Sequence, residues 1–95
     1  MKEILLSEQT LAAEDGTPVV LSYYLLSEEL TDCTGALICE LYGARIVKRR
    51  AEHITQRSIP RITVLQREIL RIVASLSQGT VMPETMEDCI TELLP

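Results

Sequence analysis

The sequence predicts one α+β domain, in which a small antiparallel sheet of three to four N-terminal strands packs against two C-terminal helices. Three observations support this class. Residues 18–27 carry no charge and are rich in β-branched and aromatic side chains, as in a strand covered on both faces. Apolar residues recur at helical spacing in the last third of the chain. With 95 residues, the chain is long enough for one modest core, so residues 1–95 are expected to form a single domain.

The first two strands are predicted to form a hairpin. Residues 4–13 are the weaker strand candidate and residues 18–27 the clearer one. Asp15-Gly16 between them favours a tight turn, because glycine accepts a positive φ without a steric clash. The polar, turn-rich stretch 27–35 is predicted to be a loop.

Two further strands are predicted after this loop. Residues 36–51 form a long third strand with a bulge or bend at Gly43. Residues 54–59 form a short fourth strand that ends at Pro60, because proline cannot donate a hydrogen bond to a sheet.

The chain is predicted to end in helices at 64–78 and 85–94. Thr63 is the expected N-cap of the first helix, with Gln66 completing a capping box, and Gly79 is expected to close it in a left-handed conformation. The apolar stripe of the first helix is Leu65, Ile69, Ile72, Val73 and Leu76, and that of the second is Met86, Cys89, Ile90 and Leu93. The sheet residues expected against the first helix are Tyr23, Leu25, Ile38, Tyr42 or Ile46.

Charge is distributed in opposite blocks. Residues 45–71 hold eight of the nine bases and two acids, a net charge of +6, whereas the rest of the chain holds one base and twelve acids, a net charge of −11. Such a chain can pair with itself, pair with a copy, or offer one face to a partner. The candidate anion-binding or partner-binding face is Arg45, Lys48, Arg49, Arg50, Arg57 and Arg61. The alternative is that acids elsewhere in the fold neutralise these cations.

Nucleic-acid binding by this basic segment is possible but less favoured. The whole chain is acidic, with a net charge of −5, and residues 45–71 contain no aromatic side chain on which a base could stack. A helix-turn-helix is excluded because the second helix would have to face DNA phosphates. That helix and the residues just before it contain four acids and no base: Glu84, Glu87, Asp88 and Glu92.

No pattern of residues indicates catalysis, a metal site or a cofactor. Cys33, Cys39 and Cys89 lack the close pairing of a zinc site, and His53 has no nucleophile nearby in sequence. The four glycines are isolated, so no phosphate-binding loop is present. We therefore expect a protein that is not an enzyme and that needs no cofactor.

The sequence also favours a cytoplasmic protein without membrane contact. Its N-terminus meets a charge at Lys2 and lacks the apolar run of a signal peptide. The longest uncharged stretches, 16–27 and 72–83, are too short to span a bilayer.

Four short motifs resemble a family of short, uncharacterised bacterial proteins of about this length. They are Tyr23-Tyr24-Leu25-Leu26, Tyr42-Gly43-Ala44-Arg45-Ile46, Ile59-Pro60-Arg61-Ile62-Thr63, and the stretch from Gly79 to Met86. The resemblance implies a strand-rich N-terminal half and a helical C-terminal end, and it implies no activity and no site residues.

The function that these observations favour is a non-catalytic protein-interaction or self-associating module, with an unknown protein or a second copy as partner. The charge blocks, and a second strand that is apolar on both sides, support it. The alternative is a weak nucleic-acid-binding module that uses residues 45–71.

Overall fold

The computed structural model describes residues 1–94 and confirms the predicted fold class. A four-stranded antiparallel sheet with the strand order β1-β2-β3-β4 is followed by two α-helices. The strands are β1 (Lys2–Ala12), β2 (Pro18–Thr31), β3 (Leu37–Arg50) and β4 (His53–Thr63), and the helices are α1 (Gln66–Gln78) and α2 (Met86–Leu93), the latter preceded by a 3-10 turn at Pro83–Thr85. Because each strand pairs with the next along the chain, the sheet is a simple meander.

The core lies between one face of the sheet and the helices. Alternate residues of β2 and β3 point to this face, because successive side chains of a strand point to opposite sides. Tyr23 is buried there, and its hydroxyl donates a hydrogen bond of 3.0 Å to the carbonyl of Val81, which ties the segment after α1 to the sheet. The other core residues are Leu21, Leu25, Ala44, Ile46, Ile69, Ile72, Val73, Leu76, Met86 and Ile90.

Strand β2 is longer than the sequence predicts. The stretch 28–31, predicted as part of a loop, continues the ladder, with Glu29 opposite Glu40 and Leu30 opposite Cys39. Long-range pairing with β3 therefore overrides the polar composition of this stretch. The turn itself is confined to the residues around Asp32, whose carboxylate accepts the backbone N–H groups of Thr34 and Ala36 at 2.8 and 3.0 Å.

Strand β4 also continues beyond the predicted end at Pro60. Its pairing with β3 jumps from Ala44↔Ile59 to Tyr42↔Thr63, so residues 60–62 form a bulge opposite Gly43. Proline is tolerated because β4 is an edge strand and this bulge interrupts its ladder. Gly43 thus lies at a bulge, as predicted, but the extra residues of that bulge belong to the partner strand β4 and not to β3.

The predicted caps of α1 are wrong at both ends. Thr63 accepts the N–H of Leu65 at 3.1 Å, and the N-cap is Leu65, without a side-chain capping bond. At the C-terminal end of α1, Gly79 has a φ of −83°. The residue in the left-handed conformation is instead Thr80, with a φ of 51°. The N–H of Val81 bonds to the carbonyl of Leu76 at 3.0 Å, which completes a Schellman motif one residue later than expected.

Two residues predicted for the core are exposed. Leu65 is 54% exposed because this residue precedes α1. Ile38 is 62% exposed because the helices do not reach this end of the sheet. The other predicted stripe residues of α1 are buried, and those of α2 are buried or partly buried.

The helical layer is too short to cover the sheet. A strand of 14 residues is about 46 Å long, at about 3.3 Å per residue. Helix α1 has 13 residues and spans only about 20 Å, at about 1.5 Å per residue. Part of the sheet therefore extends past α1 with its helix-side face uncovered, and this mismatch produces the site described next.

Candidate functional site

Each of the six predicted basic residues contacts a carboxylate of the acidic flanks. The ion pairs are Arg45–Glu3, Lys48–Glu84 at 3.0 Å, Arg49–Glu8 at 3.8 Å, Arg50–Asp15 at 2.8 Å, Arg57–Glu87 at 2.6 Å and Arg61–Glu28 at 3.0 Å. The opposite charge blocks of the sequence therefore pair with each other within one chain. Because these side chains are partly exposed, the pairs add little stability individually.

The structure does not bring the six cations together on one face. Arg45 and Arg49 lie on the outer face of the sheet, opposite Tyr24 and Val20. Lys48 and Arg57 lie on the helix side, where they contact acids of the 3-10 turn and α2. Arg61 lies in the β4 bulge, and its hydrogen bonds hold the pKa of Glu28 below its usual value. A phosphate would have to displace a carboxylate at each position.

The thiols and the imidazole lie on separate elements. Cys33 is in the β2–β3 turn and His53 begins β4, so the full length of β3 separates them. Cys89 is on α2, partly buried against the core. Among residues 1–94, no three side chains of His, Cys, Asp or Glu converge as metal ligands.

An open groove of about 710 Å³ lies on the helix side of the sheet, beyond the first turn of α1. Its apolar lining residues are Met1, Ile4, Leu6, Leu25 and Leu70. Its polar lining residues are Lys2, Ser27, Glu28, Glu29, Glu40 and Tyr42, with Gln66 at the start of α1. Ile4, Leu6 and Leu70 each expose 41–48% of their surface, although they are large apolar residues.

The polar part of the groove contains two carboxylates of like charge in direct opposition. Glu29 and Glu40 are cross-strand partners on β2 and β3. Glu40 accepts hydrogen bonds from the hydroxyls of Tyr42 at 2.8 Å and Ser27 at 3.4 Å, and its bond to Tyr42 raises the pKa of that phenol. Within residues 1–94 neither glutamate makes an ion pair. Because like charges directly opposite destabilise a strand pair, a further cation beside the groove-lining Lys2 would be favoured here.

Sequence reasoning missed the groove. The one sequence feature that pointed to it is the run Ile4-Leu5-Leu6 in the weaker strand candidate. These three consecutive apolar residues break the alternation of apolar and polar side chains expected of a half-buried strand. The register of β1 shifts between Leu5 and Ser7, so Leu6 lies in a bulge and lines the groove together with Ile4. Only the comparison of the length of α1 with that of the sheet shows that no helix packs over these residues.

A model of the family of unknown function DUF6514 matches residues 2–95. This chain belongs to that family. The match confirms the predicted resemblance to an uncharacterised family of about this length. As a DUF6514 member the chain gains no assigned activity from its family, so its function has to be inferred from the groove and its charges. No curated protein matches the chain, and no solved structure matches it.

Among the described residues, no helix is both long enough and apolar enough to cross a membrane.

Proposed function

We propose that this protein is a non-catalytic protein-interaction module, and that the groove beside α1 receives an apolar segment that carries arginine or lysine. The observation that carries the proposal is the uncovered helix side of the sheet, where exposed Ile4, Leu6 and Leu70 surround the opposed Glu29 and Glu40. Large apolar residues grouped on a surface are typical of interaction sites, whereas isolated ones are not.

The chemistry of the partner follows from the lining. Apolar side chains gain free energy when they leave water for contact with Ile4, Leu6 and Leu70. A guanidinium or ammonium group on the same segment would reach the opposed glutamates and form charge-assisted hydrogen bonds. An acidic segment would instead add a negative charge beside Glu28, Glu29 and Glu40.

The nucleic-acid alternative receives no support from a specific observation. Every cation of its candidate face already contacts a carboxylate, and the six are divided between two sides of the sheet. Failure of labelled single-stranded or duplex nucleic acid to shift on a gel at low salt would exclude it. The expectations of a cytoplasmic location and of no catalytic activity stay predictions.

Nuclear magnetic resonance titration with two matched peptides tests the proposal. Both peptides carry the same leucines at helical spacing, and they differ only in whether arginine or glutamate flanks them. We expect the arginine peptide to shift the backbone amides of Ile4, Glu29, Glu40 and Tyr42 in a saturable manner, and the glutamate peptide to leave them unchanged.

Leu70→Asp and Leu94→Asp provide matched variants, because both leucines are 42% exposed and only Leu70 lines the groove. The first variant should lose about tenfold or more of the peptide affinity, because a charge replaces an apolar contact in the groove. The second should bind as the natural chain does. Absence of saturable shifts with the arginine peptide, or equal responses to both peptides, would refute the proposed function.

A further inference from the structure

The charges that remain outside ion pairs are mostly acidic, and one of the two bases among them, Lys2, lines the groove with Glu29 and Glu40. Seven of the nine bases are paired with seven of the fourteen acids, counting Arg71–Glu68 on α1 with the six pairs above. Within residues 1–94, the two bases left without an ion pair are Lys2 and Arg67, and seven acids are left. The net charge of −5 therefore resides in the side chains outside the pairs.

Arg67 lies among apolar residues on the outside of α1. Residues three apart are neighbours on a helix surface, so Arg67 adjoins Leu70, which lines the groove. Val64 and Leu65 immediately precede the helix, and each exposes 54% of its surface. The start of α1 therefore presents exposed apolar residues and an arginine without an ion pair, while the acid of its first turn, Glu68, is paired with Arg71. This is the partner chemistry that the groove requires.

We infer that the occupant of the groove is the start of α1 from a second copy of this chain. This inference rests on the proposed function and names its partner. The two complementary surfaces adjoin at Leu70, so a two-fold axis near this residue would let each copy give α1 to the other and receive α1 in return. Such isologous pairing uses one surface twice and closes as a dimer.

In this arrangement each Arg67 lies beside the Glu29–Glu40 pair of the other copy. The cation relieves the repulsion between the two carboxylates, and both copies benefit equally because the contact is reciprocal. Each copy would contribute the twelve residues that line its groove together with Val64, Leu65 and Arg67. This is still fewer than the roughly 20–30 residues on each side of a standard stable interface, so the dimer is expected to be weak and transient.

Sedimentation velocity of the full chain tests the inference. A concentration series from low micromolar to millimolar should show a reversible monomer–dimer equilibrium that shifts toward monomer at high salt, because ions screen the exposed charges. A strictly monomeric chain over this range at low salt would overturn the inference.

Charge reversal then identifies the contact. Arg67→Glu and Glu29→Arg should each weaken dimerisation by about fivefold or more, since each places like charges in opposition. The double variant R67E/E29R should recover most of the lost association. Glu52→Arg, a matched charge reversal in the exposed β3–β4 turn, should leave the monomer–dimer equilibrium unchanged.

Failure of the double variant to recover dimerisation, or equal weakening by Glu52→Arg, would contradict this contact. Far-ultraviolet circular dichroism confirms that each variant is folded.

The two proposals fail in different experiments. If the chain stays monomeric while the arginine peptide binds the groove, the second-copy inference is wrong and the proposed function stands. If the chain dimerises but Leu70→Asp and Arg67→Glu have no effect on the equilibrium, the dimer uses another surface and the inference is again wrong. If the arginine peptide does not bind while the charge swap still restores the dimer, the proposed function is refuted for a free segment, and only the contact between two copies stands.

Discussion

At Gly43 the backbone of β4 approaches β3 so closely that a side chain has no room. A Cβ atom built on Gly43 would lie 2.5 Å from the carbonyl oxygen of Ile59 and 2.7 Å from the Cα of Pro60. Both atoms belong to the backbone of β4 where the bulge begins, so neither can rotate away. Glycine is therefore required here by close approach, and its φ is not positive.

Gly43→Ala is expected to lower the free energy of unfolding by about 1–3 kcal/mol or more, because the bulge must move to admit one methyl group. Gly35→Ala is the control. Its Cβ would meet nothing within 4 Å, so only the positive φ of 87° opposes it, at a cost of about 1 kcal/mol. Urea denaturation of both variants measures the difference, and equal losses would show that the approach of β4 is not tight.

At the scale of elements, α1 contributes one buried stripe to the sheet, and this stripe begins later than the apolar sequence pattern. Ile69 is fully buried, whereas Leu65 is the N-cap residue and exposes 54% of its surface. A helical pattern includes any apolar residue at the correct spacing. Whether the first one is buried depends on where the chain leaves β4 and enters the helix.

Ile69→Ala should destabilise the fold by about 2–5 kcal/mol, through lost transfer free energy and the cavity that remains. Leu65→Ala should change stability by no more than about 0.5 kcal/mol, as is usual for an exposed position. Thermal or denaturant unfolding provides the comparison. A large loss from Leu65→Ala would mean that α1 begins earlier and packs more deeply than observed.

For the molecule as a whole, six of the seven ion pairs link segments that are distant in sequence. Carboxyl groups with lowered pKa values make stability depend on acid pH. Hydrogen bonds from Thr17, with the Arg50 guanidinium, lower the pKa of Asp15 from 3.8 to about 2. The pKa values of Glu28 and Glu68 are also lowered, chiefly by hydrogen bonds from Arg61 and Arg71. The pKa of Glu84 is lowered first by a hydrogen bond from its own backbone N–H and then by one from Lys48. Hydrogen bonds from Thr34 and from the neighbouring backbone lower that of Asp32.

Each of these carboxyls has a lower pKa when folded than when unfolded, so the folded state binds fewer protons. Their stabilisation is present above the ordinary values of 3.8 for Asp and 4.5 for Glu, and it is lost as the pH falls through the lowered values, to about 2 for Asp15. We expect the melting temperature to decrease steadily in this acidic range. A melting temperature that stays constant down to pH values near 2 would contradict this expectation.

Asp15→Asn tests one carboxyl of this set. Asparagine can still accept the N–H of Thr17, but it does not titrate and does not pair with Arg50. The variant should therefore lose less stability than the natural chain between pH 4 and pH 2, when each is compared with its own value at pH 7. Glu52→Gln is the control, because it removes the same single negative charge at another turn.

The sequence by itself determined the local structure of this protein: its strands, its two helices and most of its core stripes, because apolar periodicity and turn residues report the conformation of neighbouring residues. It also contained the opposite charge blocks, with their self-pairing as one open alternative. Only the tertiary structure decided that β2 and β4 continue through polar residues and Pro60, since pairing with β3 supplies partners that are distant in sequence. Only the tertiary structure revealed the groove, because it arises from the difference in length between a helix and the sheet beneath it, and no single segment encodes that difference.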